Sequence, residues 1–318
     1  MIQVLLFVCV GCIGLVQSEW IRVSLPRMTN CPLLNMSMSD CKVRYPENSD
    51  SYITWGWEDT DIALNKLSHF AEKLLHCLLP TDVVCFFGDS LGRQLFTEMS
   101  CKYGRHFKYE VTKHDSGKGF ILPESTILKN NATMHYRFVF PDSYQYMHAV
   151  PSVHWSYKCS HVLMSHGIWH VINSEHLMTT SEFKSNLTDA LYYVRAMYPD
   201  AQITLLPVLT ASNSFNLQQQ QLLPCYFPST AYQNARGPLN EEEAIIVSFN
   251  DVIQRISTDN SLSSLKAAYN MSSTLNCEKV EHDPVHWVQC QGVSTPLYRE
   301  VVQMYLRNIC RLKAKATH

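Results

Sequence analysis

The chain has 318 residues, of which 46% are apolar and 17% charged, against a typical charged share of ~25%. That balance belongs to a globular protein with a sizeable core and excludes a disordered or fibrous chain. With 26 Lys and Arg against 28 Asp and Glu, a formal charge of −2 and no long block of one sign, nucleic acid is excluded as the expected partner.

In chain order, the first feature is the apolar stretch Ile2 to Val16, broken only by Gln3 and followed by Gln17-Ser18-Glu19. It is too short for a membrane span of ~20 residues and reads as a secretory signal over residues 1–18, so no stable membrane span is expected after cleavage. Left uncleaved, the same stretch would hold the protein in the Golgi instead of releasing it. Four Asn-x-Ser/Thr sequons, at Asn35, Asn131, Asn186 and Asn270, fit passage through the secretory lumen. Of the 12 cysteines, Cys9 and Cys12 leave with the signal. Cys31, Cys41, Cys77, Cys85, Cys101, Cys159, Cys225, Cys277, Cys290 and Cys310 remain, an even number that suits disulfides of open connectivity. Among these ten no CxxC or CxxC…HxxxH spacing occurs, so neither a zinc site nor any other cofactor is expected.

Residues 19–60 carry Cys31, Cys41, several Pro and Asn, and the aromatics Tyr52, Trp55 and Trp57, and read as a loop-rich, disulfide-tied lead-in. The aromatic cluster suits core packing more than a sugar-stacking platform. Residues 61–318 read as one catalytic domain. From Asp61 the apolar positions Ile62, Leu64, Leu67, Phe70, Leu74, Leu75 and Leu78 predict an amphipathic helix ending near Pro80. Asp82 to Phe87, continuously apolar from Val83, predicts a strand buried on both faces, and it runs through Gly88-Asp89-Ser90 into a helix over Leu91 to Lys102. Between Lys102 and Ser160, polar residues alternate with Tyr136, Phe138 and Phe140, which predicts a hairpin or insertion. Strands at His161 to Met164 and Gln202 to Val208 then alternate with helices at Phe183 to Tyr198 and Glu241 to Ile256. The alternation predicts an α/β fold with a mainly parallel, doubly wound sheet. Gln218 to Gln221 lie in a long connection, and Arg311, Lys313 and Lys315 read as a small solvated basic tail.

Two places carry chemistry. Ser90 stands where a strand meets a helix, so backbone N–H groups at the helix start can hold a developing oxyanion. A serine hydroxyl also needs a base, and the base needs an orienting partner. Downstream, His282-Asp283-Pro284-Val285-His286-Trp287 places Asp283 three residues before His286, so that Asp283 can hold one imidazole nitrogen while the other faces Ser90. His154, His161, His166, His170 and His176 crowd one region, but their spacing fits no standard metal site.

Phe87-Gly88-Asp89-Ser90-Leu91-Gly92-Arg93-Gln94 up to Cys101, with Asp283-Pro284-Val285-His286-Trp287 downstream, resembles the PC-esterase branch of the SGNH (GDSL-type) hydrolase superfamily, in particular the trichome-birefringence-like proteins. Cys41, Asp50, Tyr52, Trp55 and Trp57 extend the similarity upstream. The resemblance implies a three-layer α/β/α fold and a triad with Ser90 as nucleophile, His286 as base and Asp283 as its partner. It further implies an oxyanion or substrate-binding group around Asp89, Arg93 and Gly167. Arg93 either holds the oxyanion loop and contacts the acyl group or forms a structural ion pair. Ser165-His166-Gly167-Ile168-Trp169 resembles the family's Asn-Ser/Thr-Gly-x-Trp block, with Ser165 in place of the Asn, which removes an amide donor.

The expectation is therefore a secreted or secretory-lumen serine acyl enzyme with a glycan or other O-acylated substrate and an acyl donor as partners. The resemblance tilts it towards O-acetyl transfer to glycan or polysaccharide hydroxyls. The alternatives are ester hydrolysis that removes O-acetyl groups, and a catalytically silent glycan-binding relative.

Overall fold

The computed structural model describes residues 19–26, 51–58, 75–113, 119–138, 157–172, 178–210, 241–274 and 295–316. Its core is a seven-stranded sheet built from β3 (Val83–Gly88), β4 (Gly104–Lys113), β5 (Gly119–Leu128), β6 (Thr133–Phe138), β7 (His161–Ser165), β8 (Gln202–Leu206) and β9 (Ser263–Ser264), in the order β4-β5-β6-β3-β7-β8-β9. β3 pairs in parallel with β6 and β7, and β8 in parallel with β7 and β9. β4 and β5 continue the sheet antiparallel beyond β6, and they are the hairpin expected between Lys102 and Ser160.

The helices are α1 (Ser90–Tyr103), the short α2 (Trp169–Ile172), α3 (Thr180–Met197), α4 (Glu241–Asp259), α5 (Ala267–Thr274) and α6 (Pro296–Ala316). Adjacent residues of a strand point to opposite faces of its sheet, and β3 shows what covers each face. Phe86 meets Phe96 of α1 and Tyr305 of α6 at ring separations of 5.7 and 5.9 Å, while Phe87 meets Tyr198 at the end of α3 at 6.1 Å. α4 lies on the α3 side, where Phe183 and Phe249 stack at 4.0 Å. The fold is thus a three-layer α/β/α arrangement about a mostly parallel sheet. Its central strands are buried because both of their faces are covered: all five residues of β7 are buried, as are all of β3 but Val83.

Two expectations change. Within the lead-in taken as loop-rich, β1 (Glu19–Pro26) and β2 (Ser51–Glu58) form a two-stranded antiparallel sheet, with Trp20 opposite Trp57 and Arg22 opposite Trp55. The supposed solvated basic tail is the last part of α6. Lys313 there pairs with Asp82, which precedes β3, because α6 buries Leu297, Val301, Val302, Tyr305, Leu306 and Ile309 against the sheet. Burial pushes the Asp82 carboxyl up, but Lys313, the Leu79 N–H and His161 together hold it below its ordinary value. The helix expected from Asp61 lies outside the described residues up to residue 74; Leu75 and Leu78 beyond it are buried. Disulfides join Cys77 to Cys310 and Cys85 to Cys159, and Cys101 is likewise disulfide-bonded. Among the described residues, no helix is long and apolar enough to cross a membrane.

Candidate active site

The parallel strands appear in the chain as β3, β6, β7, β8 and β9 and lie in space as β6-β3-β7-β8-β9. The winding direction therefore reverses between β3 and β7. In open α/β sheets the connections diverge at such a point and leave a crevice outside the carboxyl ends of the strands. Gly88 and Ser165, the last residues of the two strands, are register partners there. Gly88-Asp89-Ser90 and Ser165-His166-Gly167 therefore leave the sheet side by side at its switch point.

Asp89 is the N-cap of α1, and its Oδ1 accepts the Leu91 N–H at 2.9 Å. A carboxylate at this position satisfies a helix-start donor and matches the positive end of the helix dipole. The same oxygen accepts the Ser165 hydroxyl at 3.2 Å, so both turns are braced through one atom. The Tyr136 hydroxyl, arriving from β6, donates to the carbonyls of Gly88 at 3.2 Å and Asp89 at 3.0 Å. Burial pushes the Tyr136 hydroxyl well above its ordinary pKa, with Arg93 pulling it down and Asp89 pushing it up; it therefore remains a protonated donor. Ser90 itself is 6% exposed.

Glycine is required at two points. A Cβ on Gly88 would fall 2.8 Å from the Ser165 Cβ, so only a bare backbone lets the two turns run this close. Gly167 has φ +117°, and a Cβ there would lie 2.8 Å from Val208 Cγ2 and 2.9 Å from Phe183 Cε2. The loop carrying Gly167 continues into α2, with His170 N–H donating to Gly167 O at 3.2 Å. His166 beside it has its Nε2 3.0 Å from Asn186 Oδ1 and its ring stacked over Phe183 at 5.9 Å. Burial, and then the neighbouring His170, pull His166 down to about 4, against the pull of Asn186. It is therefore a neutral imidazole at neutral pH.

The structure thus brings Asp89, Ser90, Arg93 and the Gly167 loop together at the carboxyl ends of the central strands β3 and β7. Arg93 is part-buried in the first turn of α1, its N–H donating to Asp89 O at 3.1 Å. Asp283 and His286 lie outside the described residues, as do the Gln218 to Gln221 connection and the Asn35 sequon. The described part of Ser165 answers one question raised by the sequence: where an Asn donor was missing, the Ser hydroxyl serves Asp89. Among the described residues no His, Cys, Asp and Glu cluster could hold a metal. The sequence shows Tyr136 and Gln94 within its motifs without a role for either, and gives no role to Glu98. The alternation in β6 places Tyr136 on a strand, but its contact with Gly88 depends on strand register. Gln94 and Glu98 left a local trace, because they follow Ser90 at intervals of four on a helix.

No family model matches the chain, and no curated protein matches it. Among solved structures, a GDSL-like lipase from Bacteroides thetaiotaomicron is similar at a TM-score of 0.43 and 13% identity, over 78% of this chain and 98% of that one. An acetylxylan esterase from Geobacillus stearothermophilus is similar at 0.42 and 13%, over 72% of this chain and 94% of that one. A member of the lipolytic G-D-S-L family from Veillonella parvula is similar at 0.39 and 8%, over 71% of this chain and 96% of that one.

Proposed function

We propose that the protein is a secretory-pathway serine acyl enzyme that transfers O-acetyl groups to glycan hydroxyls through Ser90, His286 and Asp283. One observation carries the reading: Ser90 opens a capped helix at the switch point of the parallel sheet, next to a second turn presenting Gly167. At that place substrate reaches the carboxyl ends of the strands, and the helix start favours negative charge. His286 stands nine residues ahead of Thr295, and nine residues of chain reach about 30 Å when extended. Thr295 is bonded to Glu98 of α1, a residue about 12 Å along the helix axis from Ser90. The tether therefore allows His286 to meet Ser90.

In the proposed reaction the Ser90 hydroxyl oxygen attacks the acyl carbonyl while its proton passes to His286, and Asp283 stabilises the resulting imidazolium. The carbonyl becomes a tetrahedral oxyanion held by the N–H groups of Ser90 and Gly167. Collapse breaks the bond to the donor's oxygen, which leaves with the proton from His286. A glycan hydroxyl then gives its proton to His286 and attacks the acyl-Ser90 carbonyl; collapse breaks the bond to the Ser90 oxygen, which takes the proton back from His286 as the acetylated sugar leaves. With water as acceptor, the same sequence is ester hydrolysis. Asp89 and Ser165 hold the nucleophile turn, and Arg93 borders it.

The disulfides fit an oxidising lumen, and Asn131 and Asn270 are exposed sequons able to carry glycans. One observation favours a silent glycan-binding relative instead: the Ser165 hydroxyl is directed at Asp89, leaving the oxyanion site to backbone donors. A fluorophosphonate probe tests the reading. Wild type should be labelled and Ser90→Ala should not; equal labelling of the two removes the enzyme. Purified protein given an aryl acetate and an oligosaccharide then separates the two activities by mass spectrometry. Added acetyl mass on the sugar shows transfer, and free acetate with unmodified sugar shows hydrolysis.

A further inference from the structure

Ser90, Gln94, Glu98 and Lys102 follow one another at intervals of four along α1, so their side chains form one row on the helix. Gln94 and Glu98 are each 1% exposed. Polar groups at a buried helix face are costly unless each finds a partner, and each has one at the start of α6. Gln94 Oε1 accepts from the Tyr298 hydroxyl, and Glu98 Oε2 accepts the Thr295 N–H at 3.2 Å.

Thr295 occupies the cap position of α6: its carbonyl receives the Arg299 N–H at 2.9 Å, and Pro296 follows as the first helical residue. A helix start carries amide donors without internal partners and a positive dipole end. Glu98 supplies a carboxylate to it from another element. Its charge is offset locally. Burial and then Arg299 pull Lys102 down to about 8, while Glu98 and Glu300 hold it up, and Arg299 is paired with Glu300 at 2.9 Å.

We propose that Glu98 is a positioning residue whose buried carboxylate, bonded to the Thr295 N–H, sets the start of α6 against the helix that begins with Ser90. The catalytic consequence rests on the serine-enzyme reading, because the chain entering α6 at Thr295 is the one that carries Asp283 and His286. The bond is to a backbone N–H, so it fixes the path of the chain and not the rotamer of one side chain. Gln94 and Tyr298 add a second point of attachment, nearer to Ser90.

Hydrogen exchange on the peptide spanning Thr295–Gln303, together with the rate of fluorophosphonate labelling, tests this in the whole protein. Glu98→Ala should exchange and label roughly tenfold faster and slower respectively, as expected for one lost buried bond to a charged acceptor. Glu98→Gln keeps an acceptor oxygen and should recover most of both. Lys313→Met breaks the Asp82 pair at the far part of α6; it should lower the melting temperature without changing either readout. Wild-type exchange in Glu98→Ala, or equal effects of Glu98→Ala and Lys313→Met, overturns the proposal. If Glu98→Ala does not fold, Tyr298→Phe reads the same clasp: slowed labelling at an unchanged melting temperature supports it, and wild-type labelling overturns it. A wild type that is never labelled, with the exchange response of Glu98→Ala intact, removes the enzyme reading and leaves the positioning role standing.

Discussion

Asp89 Oδ1 serves two donors, the Leu91 N–H that starts α1 and the Ser165 hydroxyl that ends β7. The first of these follows from the sequence, since a short acidic side chain before a helix is a cap in most settings. The second does not, because Ser165 lies 76 positions away and only strand pairing brings it there. His166 provides a residue-scale test. The unfolded chain takes up this proton near 6.5 and the folded chain only near 4. Between those values the unfolded state holds more protons, so stability falls as pH drops through the window and levels off below it. His161 is also lowered, by burial and against the pull of Asp82, and adds a loss of the same sign. Urea unfolding at pH 7.5, 5.5 and 4 should show the decline, and His166→Gln should make it shallower. An identical pH dependence in that variant would remove His166 as a contributor.

At the scale of elements, helix starts were legible wherever the stop and start chemistry is local. α3 begins at Thr180, three residues before the expected Phe183, because Thr179 and Glu182 form a reciprocal capping box. That box was readable as Thr-x-x-Glu before an apolar run. Replacing Thr179 by Ala should cost about 1 kcal/mol, measured as a lower unfolding midpoint with an unchanged denaturant slope. No change would mean that α3 is held by its packing through Phe183, Leu187 and Val194 alone. α6 was overlooked although Leu297, Val301, Val302, Tyr305 and Leu306 recur at helical spacing. Its basic end resembles a tail in the sequence, and the partner of Lys313, Asp82, is 231 positions away.

For the whole molecule, the longest covalent constraint among the described residues is Cys77–Cys310, with a separation of 233. It ties the end of α6 to the segment before β3. Closing a loop of that size restricts the unfolded chain, so Cys77→Ser with Cys310→Ser should lose about 5 kcal/mol. Calorimetry of the double variant checks this; a melting temperature within 2 °C of wild type, against the several degrees expected from so large a loss, would show that the restriction is supplied elsewhere. The alternation of apolar strands and amphipathic helices was enough to establish an α/β chain with a mainly parallel sheet, because periodicity and turn residues act over a few positions. The sequence likewise placed Ser90 at a strand-to-helix junction, while the capping of that helix by Asp89 is seen in the folded chain. Strand order, the pairing of cysteines, the Tyr136 brace and the Glu98 grip on Thr295 emerged only once the chain was folded. Each of these joins groups tens to hundreds of residues apart, and such partners are selected by the packing of layers, which no local pattern encodes.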